Sequence, residues 1–349
     1  MRPHAASDTS ITSALATCRA ITRERASTFW FASHLLPRGL RDACCAVYAF
    51  CRRADDAVDE ASSPPEARSR LADAAAILER AYSPAGPIDS DPVVRALAWA
   101  GREHGVTKEP LLELLEGMAL DLEPLALRTT GELLRYCRLA AGTVGRALAP
   151  ALGADQSAQN AAESLGLAMQ LTNIRRDIDE DLGRGRIYLP AQELAEHGLD
   201  HDALRARRTD EPLRAFLRRQ IARARRVYAQ AEPGIARIAG WRARLCVRAM
   251  GVLYGEILGE LERRGLDPFA GRVRVSMPRK LWLLVTCLFG RPLSRENLAC
   301  ALPAHDSPAS TGSPRMAGAP AFSRMAGSGR WKRKPWSAPA VSTSRPPRR

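Results

Sequence analysis

"QLTNIRRDIDEDLGRGRIYLP", residues 170–190, holds four acidic residues and four arginines in one short run. Counted back one turn, Gly166, Gln170, Asn173, Asp177 and Asp181 fall at steps of 4, 3, 4 and 4, which keeps them on one face of a helix. Leu167, Leu171, Ile174 and Ile178 form an apolar stripe alongside, about a quarter-turn round the axis. An ion-paired surface helix would set its charges opposite its apolar face. Here the two adjoin, so the aspartates border a core.

The same arithmetic occurs earlier in the chain. In "YAFCRRADDAVDE" (48–60) and the turn before it, Cys44, Tyr48, Cys51, Asp55 and Asp59 again step by 4, 3, 4 and 4. That stripe starts apolar and ends in carboxylates, so Asp55 and Asp59 continue an inward-facing side. Inward carboxylates are costly unless they are paired or hold cations. A lone DxxxD is most often a solvated face, but two on matched stripes suit opposite walls of one site. Carboxylate oxygens are the ligands Mg²⁺ prefers, commonly shared with substrate phosphates. Arg52, Arg176, Arg184 and Arg186 flank the aspartates, and guanidinium forks match diphosphate oxygens. The spacing points to metal-dependent diphosphate chemistry and leaves the substrate open.

The surrounding sequence is helical. Residues 10–290 are rich in Ala, Leu, Arg and Glu, with no convincing period of two. Breaks at "SSPPEA" (62–67), "SPAGPIDSDP" (83–92), "TKEP" (107–110), "GRGRIYLP" (183–190), "TDEP" (209–212) and "RGLDPFAGR" (264–272) divide it into about ten helices. Ser or Asp stands before several of the runs, as N-caps do. The expectation is an all-α domain over 11–290, between a flexible 1–10 and a basic Pro/Ser/Gly/Arg-rich disordered tail over 291–349, whose composition is plainest from 301.

The formal charge of +14 divides unevenly. Residues 301–349 hold nine Lys/Arg against Asp306 alone, so the tail carries +8 and the rest +6. No nucleic-acid recognition motif accompanies that charge, and no nucleic-acid partner is expected. The eight cysteines lack CxxC spacing and lie in apolar helical patterns, as core residues in a reducing cytoplasm would. The N-terminus has no basic-then-apolar signal pattern. The longest apolar run, "LWLLVTCLFG" (281–290), is about half the length that spans a bilayer and suits a buried or membrane-surface helix.

Several long motifs together resemble the squalene/phytoene synthase family, most closely its bacterial phytoene synthases. They are "STFWFASHLLP" (27–37), "VYAFCRRADDAVDE" (47–60), "GMALDLE" (117–123), "YCRLAAGTVG" (136–145), the opening stretch, and "LYGEILGELERRGLDPFAGRVRVS" (253–276). The resemblance spans about residues 20–290. It implies the isoprenoid synthase helical bundle with a central active-site cavity, and head-to-head joining of two geranylgeranyl diphosphates through prephytoene diphosphate to phytoene, a step of carotenoid biosynthesis. By motif position it implies Mg²⁺ or Mn²⁺ on Asp55, Asp59, Asn173, Asp177 and Asp181, the four aspartates being catalytic. It further implies substrate contacts from Thr28, Phe29, Tyr48, Arg52, Gln170, Asn173, Arg176, Arg186, Tyr188 and Tyr254.

No NADPH is expected for phytoene. The alternative is a squalene, presqualene diphosphate or diapophytoene synthase acting on farnesyl diphosphate; a non-catalytic scaffold is disfavoured because the aspartates are intact. The runs "AAGTVGRALAPALG" (140–153) and "SLGLAMQL" (164–171) suit tunnel walls that exclude water from a carbocation. Trp30 stands where the family often has Tyr, and its bulk would narrow the entrance or tunnel. An insoluble C40 product implies a cytoplasmic enzyme peripheral at the inner face of the cell membrane.

Overall fold

The structure is a computed structural model that describes residues 4–84, 89–122, 127–155, 158–290 and 292–293, with side chains from residue 10 onward. The tail expected over 291–349 lies outside them except for Pro292 and Leu293. Glu123 of "GMALDLE" lies outside them as well.

Among the described residues every regular element is a helix. The first six are α1 (His4–Arg25), α2 (Ser27–Ser33), α3 (Arg38–Asp59), α4 (Pro64–Ala81), α5 (Pro92–His104) and α6 (Glu109–Ala119). After a 3-10 turn at Leu120–Leu122 come α7 (Thr130–Cys137), a π-turn at Arg138–Gly142 and α8 (Thr143–Leu148). Next are α9 (Gln159–Arg176), α10 (Ile178–Gly183), α11 (Ala191–Ala195) and α12 (His201–Arg205). The long α13 (Glu211–Ala236) and α14 (Trp241–Arg263) precede α15 (Met277–Leu288).

Among the described residues fifteen helices replace the ten or so expected from the breaks. The surplus lies in α2, α8, α10, α11 and α12, none longer than seven residues, too short to show a full apolar period. Helix α1 begins at His4, within the stretch expected to be flexible. Within three of the breaks, Ser63, Asp91 and Asp210 cap the helices that follow, accepting backbone N–H bonds at the starts of α4, α5 and α13.

Two apolar clusters fill the bundle. One gathers α3, α4, α5 and α6 around Phe50, Leu78, Leu97, Leu111 and Leu114. The other gathers α7, α9, α13 and α14 around Leu133, Leu171, Phe216, Tyr228 and Leu258. Between them runs an apolar cavity of about 310 Å³, lined from α3, α8, α9, α13 and α14. Glycines let its walls approach. A Cβ at Gly145 would stand 2.2 Å from the Ala162 carbonyl oxygen, and one at Gly166 would stand 2.3 Å from that of Ala141. An antiparallel bridge between Ala154 and Ile238 lies at the end where both residues line the cavity.

Six of the seven described cysteines are buried, Cys51 is half-buried, and all are free thiols. Fully buried Arg175 anchors the acidic end of α9. It donates to the Leu171 carbonyl oxygen at 2.8 Å and to the Gln220 amide oxygen. Gln220 donates in turn to Glu193 at 2.6 Å, and Arg223 pairs with that carboxylate at 2.9 Å. This network fixes α9 against α11 and α13.

Candidate active site

Both polar stripes face the space between the clusters. On α3, Cys44, Tyr48 and Cys51 line the apolar cavity, while Tyr48, Cys51, Asp55 and Asp59 line a polar one of about 840 Å³. On the second stripe, Gly166 and Asn173 belong to the apolar cavity, and Gln170, Asn173, Asp177 and Asp181 to the polar one. Tyr48, Cys51, Asn173 and Tyr254 line both spaces, so the two meet at a neck formed by these residues. Leu171, Ile174 and Ile178 are buried beside them in the core.

The opening stretch is not one helix. Asp177 breaks it, with φ −105° and ψ 15°, separating α9 from α10. The four-residue steps survive because Asp177 N–H donates to the Asn173 carbonyl oxygen at 2.9 Å, and Asp181 N–H to that of Asp177 at 2.8 Å. Both carboxylates therefore stay on the cavity side.

Thr28, Arg52, Arg176, Arg186, Tyr188 and Tyr254 also line the polar cavity. Phe29 lies just beyond the neck, in the apolar cavity, with its ring stacked on Tyr48 at 5.8 Å between centroids. Trp30 does not narrow either space. It packs against the α3–α6 cluster, edge-on to His34 at 4.8 Å, with Arg41 over its ring. One residue of helical rotation turns Phe29 inward and Trp30 away.

Arginines rest on the aspartates. Arg52 donates to Asp55 at 3.0 Å and also to Asp56. Arg184 and Arg186 both reach Asp59. Arg176 donates to Asp177 at 2.8 Å, and Arg272 approaches the same carboxylate at 3.3 Å. Asp181 alone of the four makes no side-chain hydrogen bond or ion pair among the described residues. Burial, then the facing Asp177, push its pKa up to about 7; burial, then Asp59, push Asp55 up to about 6.

These donors suit a hard divalent cation. All are oxygens, in carboxylate pairs that repel each other, and the buried Oδ1 of Asn173 has no hydrogen-bond partner. Among the described residues no three His, Cys, Asp or Glu converge as a ready-made chelate, so the pairs stand apart on two walls. Asp55, Asp59, Asn173, Asp177 and Asp181 are the residues that could hold ions shared with a diphosphate.

A pH dependence follows. Both raised pKa values lie above the unfolded carboxyl range, so in metal-free protein the two groups oppose folding increasingly as pH climbs from about 4 to 7. A bound cation must displace those protons. The apparent Kd for Mn²⁺ is expected to weaken about tenfold per pH unit from 7 down to 6, more steeply below 6 where both groups carry protons, and to level off above 7. Calorimetric titration in buffers of different ionisation enthalpy would register the proton release, and a pH-independent Kd would refute it.

Four further residues join the site without having been singled out. Asp121, on the 3-10 turn, accepts from the Tyr136 and Tyr188 hydroxyls at 2.9 Å each, and those rings stack at 4.9 Å. Arg272 and Lys280 border the same cavity, and Lys280 donates to Thr28 at 3.1 Å. Asp121 and Tyr136 fall within quoted motifs, yet an isolated acid in an apolar run carries no spacing that marks it. Arg272 also falls within a quoted motif, and Lys280 does not; both reach the site through tertiary packing, with no local spacing to mark them.

The helices and the two-walled polar site define a protein of the isoprenoid synthase class. The squalene/phytoene synthase family model matches residues 22–279, and the chain belongs to that family. It is 38% identical over 264 residues to the phytoene synthase of Thermus thermophilus, an alignment covering 76% of this chain and 89% of the relative. It is 36% identical over 288 residues to the 15-cis-phytoene synthase of Synechococcus elongatus, covering 78% and 91%. Among solved structures it resembles a dehydrosqualene synthase in complex with ligand, with a TM-score of 0.75, 28% identity, and coverage of 80% of this chain and 97% of that one.

Proposed function

We propose that this chain is a phytoene synthase, a prenyltransferase that joins two geranylgeranyl diphosphates head to head, through prephytoene diphosphate, to phytoene in carotenoid biosynthesis. The observation that carries the reading is that the polar and apolar cavities adjoin, with Tyr48, Cys51, Asn173 and Tyr254 lining both. A diphosphate on the polar side places its allylic carbon at this neck and its hydrocarbon among apolar walls. Names of relatives such as the Thermus phytoene synthase support the C20 substrate.

Arg52, Arg176 and Arg186 would grip diphosphate oxygens as the C–O bond breaks and negative charge builds on the leaving group. Divalent ions, Mg²⁺ or Mn²⁺, when bound at the aspartates and Asn173, supply positive charge to that same group. The Phe29–Tyr48 stack and Tyr254 close the neck against water, which would quench the cation. No reductant is needed for phytoene, since its formation ends in proton loss. The second reading, a C15-diphosphate enzyme, draws on the likeness to a dehydrosqualene synthase. Purified protein given C20 or C15 diphosphate with Mg²⁺ and no NADPH is expected to make phytoene from the first; C30 product alone would overturn the assignment. The expected location is cytoplasmic, peripheral at the inner face of the cell membrane.

A further inference from the structure

Arg52 ties two cavities together. It lines the polar active-site cavity, as does Asp55, which accepts from its Nη1 at 3.0 Å. Its Nη2 donates to Asp56. Asp56 does not border the active site. It lines a separate surface cavity of about 400 Å³ formed by α3, α4 and Asp91, and the two linings share no residue. The basic residues of that second cavity are already taken: Arg53 by Asp91, Arg70 by Glu66 and Arg80 by Asp89. Among the described residues, the side chain of Asp56 therefore pairs with Arg52 and no other.

Helix stability does not explain this pair. Asp56 lies in the last turn of α3, where the helix macrodipole disfavours negative charge. An arginine four residues before its acid is also the weaker orientation of an i,i+4 pair.

The site does explain it. Among the described residues Arg176 rests on Asp177 alone, and Arg186 on Asp59 alone. A cation on either aspartate would take that arginine's one anchor. Arg52 differs from both, because its second carboxylate stands outside the ion-holding set. Its Nε is also buried with no hydrogen-bond partner, so the group still lacks an acceptor.

We propose that Asp56 is a positioning residue, which acts through Arg52 and keeps its guanidinium at the diphosphate once a cation has claimed Asp55. The inference rests on the proposed function for its diphosphate and its ions, and it is indifferent to prenyl length. It also makes a prediction opposite to that of simple electrostatics. By charge alone, removing an acid near an anion site tightens anion binding. Here the loss should weaken binding, because it unseats the arginine.

The test titrates inorganic pyrophosphate into the full chain at saturating Mn²⁺, followed by calorimetry. Asp56→Ala is expected to weaken the pyrophosphate Kd about tenfold, the scale of one hydrogen bond to a charged group. Asp56→Glu, whose carboxylate still reaches Arg52, should bind within about twofold of wild type. The Mn²⁺ Kd of Asp56→Ala, measured without pyrophosphate, should stay within about threefold. In an Arg52→Gln background the same Asp56→Ala change should add no loss, since its effect passes through the arginine.

Pyrophosphate binding in Asp56→Ala as tight as wild type, or tighter, would overturn the proposal. So would an equal loss in both backgrounds, or a Mn²⁺ affinity that falls as far as that for pyrophosphate. The last result would make Asp56 an ion ligand. If Asp56→Ala does not fold, the isosteric Asp56→Asn replaces it, with a loss of about threefold and the same comparison across Arg52→Gln. A wild type that binds no pyrophosphate with Mn²⁺ would sink both this inference and the functional reading. C30 product alone would sink the functional reading and leave the binding results standing.

Discussion

Asp55→Asn and Asp177→Asn are each expected to lower kcat/KM for the prenyl diphosphate by at least about a thousandfold, near 4 kcal/mol of transition-state stabilisation. The two residues stand on opposite walls of one polar cavity, so each change weakens one wall's hold on the cations that would offset negative charge on the leaving group. In the free protein the arginines and any metal compete for the same oxygens. Arg52 rests on Asp55, and Arg176 and Arg272 rest on Asp177. A bound cation would release those guanidinium groups to the diphosphate, so losing one carboxylate disturbs both kinds of contact.

The fold should survive the loss. Asp55 is held above its ordinary pKa by burial and by Asp59, so a neutral amide relieves a repulsion. The melting temperature of metal-free Asp55→Asn protein is therefore expected to hold or rise at pH 7.5. Steady-state kinetics by diphosphate release, beside a thermal melt, would check both halves. Full activity in either variant would show that the aspartates are not the ion-holding groups.

The two stripes were legible because helical periodicity ties spacing to direction. Cys44 to Asp59 and Gly166 to Asp181 each kept one face toward the cavity, even across the break at Asp177. The break itself left no mark in the spacing, since its i to i+4 hydrogen bonds continue. Trp30 was misread for a related reason: a bulky residue in a motif says nothing of the neighbour it packs on, and Phe29 holds the inward position. Asp121, Arg272 and Lys280 come from a 3-10 turn, a loop and a helix brought in by tertiary packing, where no local period points at the site. The short helices α10, α11 and α12 fell below the length at which a period can be counted.

Ala162→Phe is expected to cut phytoene formation at least about a hundredfold while leaving turnover of a C15 diphosphate within a few fold. The lining of the apolar cavity follows α9 through Asn173, Met169, Gly166 and Ala162 to Ala158, the residue just before its first turn. From Asn173 at the neck to Ala158 at the floor is about 22 Å at 1.5 Å per residue. An extended chain advances about 1.25 Å per carbon given single bonds near 1.5 Å, so a C20 prenyl chain of sixteen backbone carbons needs about 20 Å and a C15 chain about 15 Å. Ala162 lies about 16 Å below Asn173 on the same count, so an aromatic ring there leaves room for three isoprene units and not four. The walls cannot yield to make more, because the backbone of Ala162 already touches α8 at Gly145, where even a Cβ would collide. Substrate competition between the C15 and C20 diphosphates, read by product mass, separates a shortened tunnel from general damage. A variant that loses both activities equally, or keeps C40 output, would put the measure of chain length elsewhere.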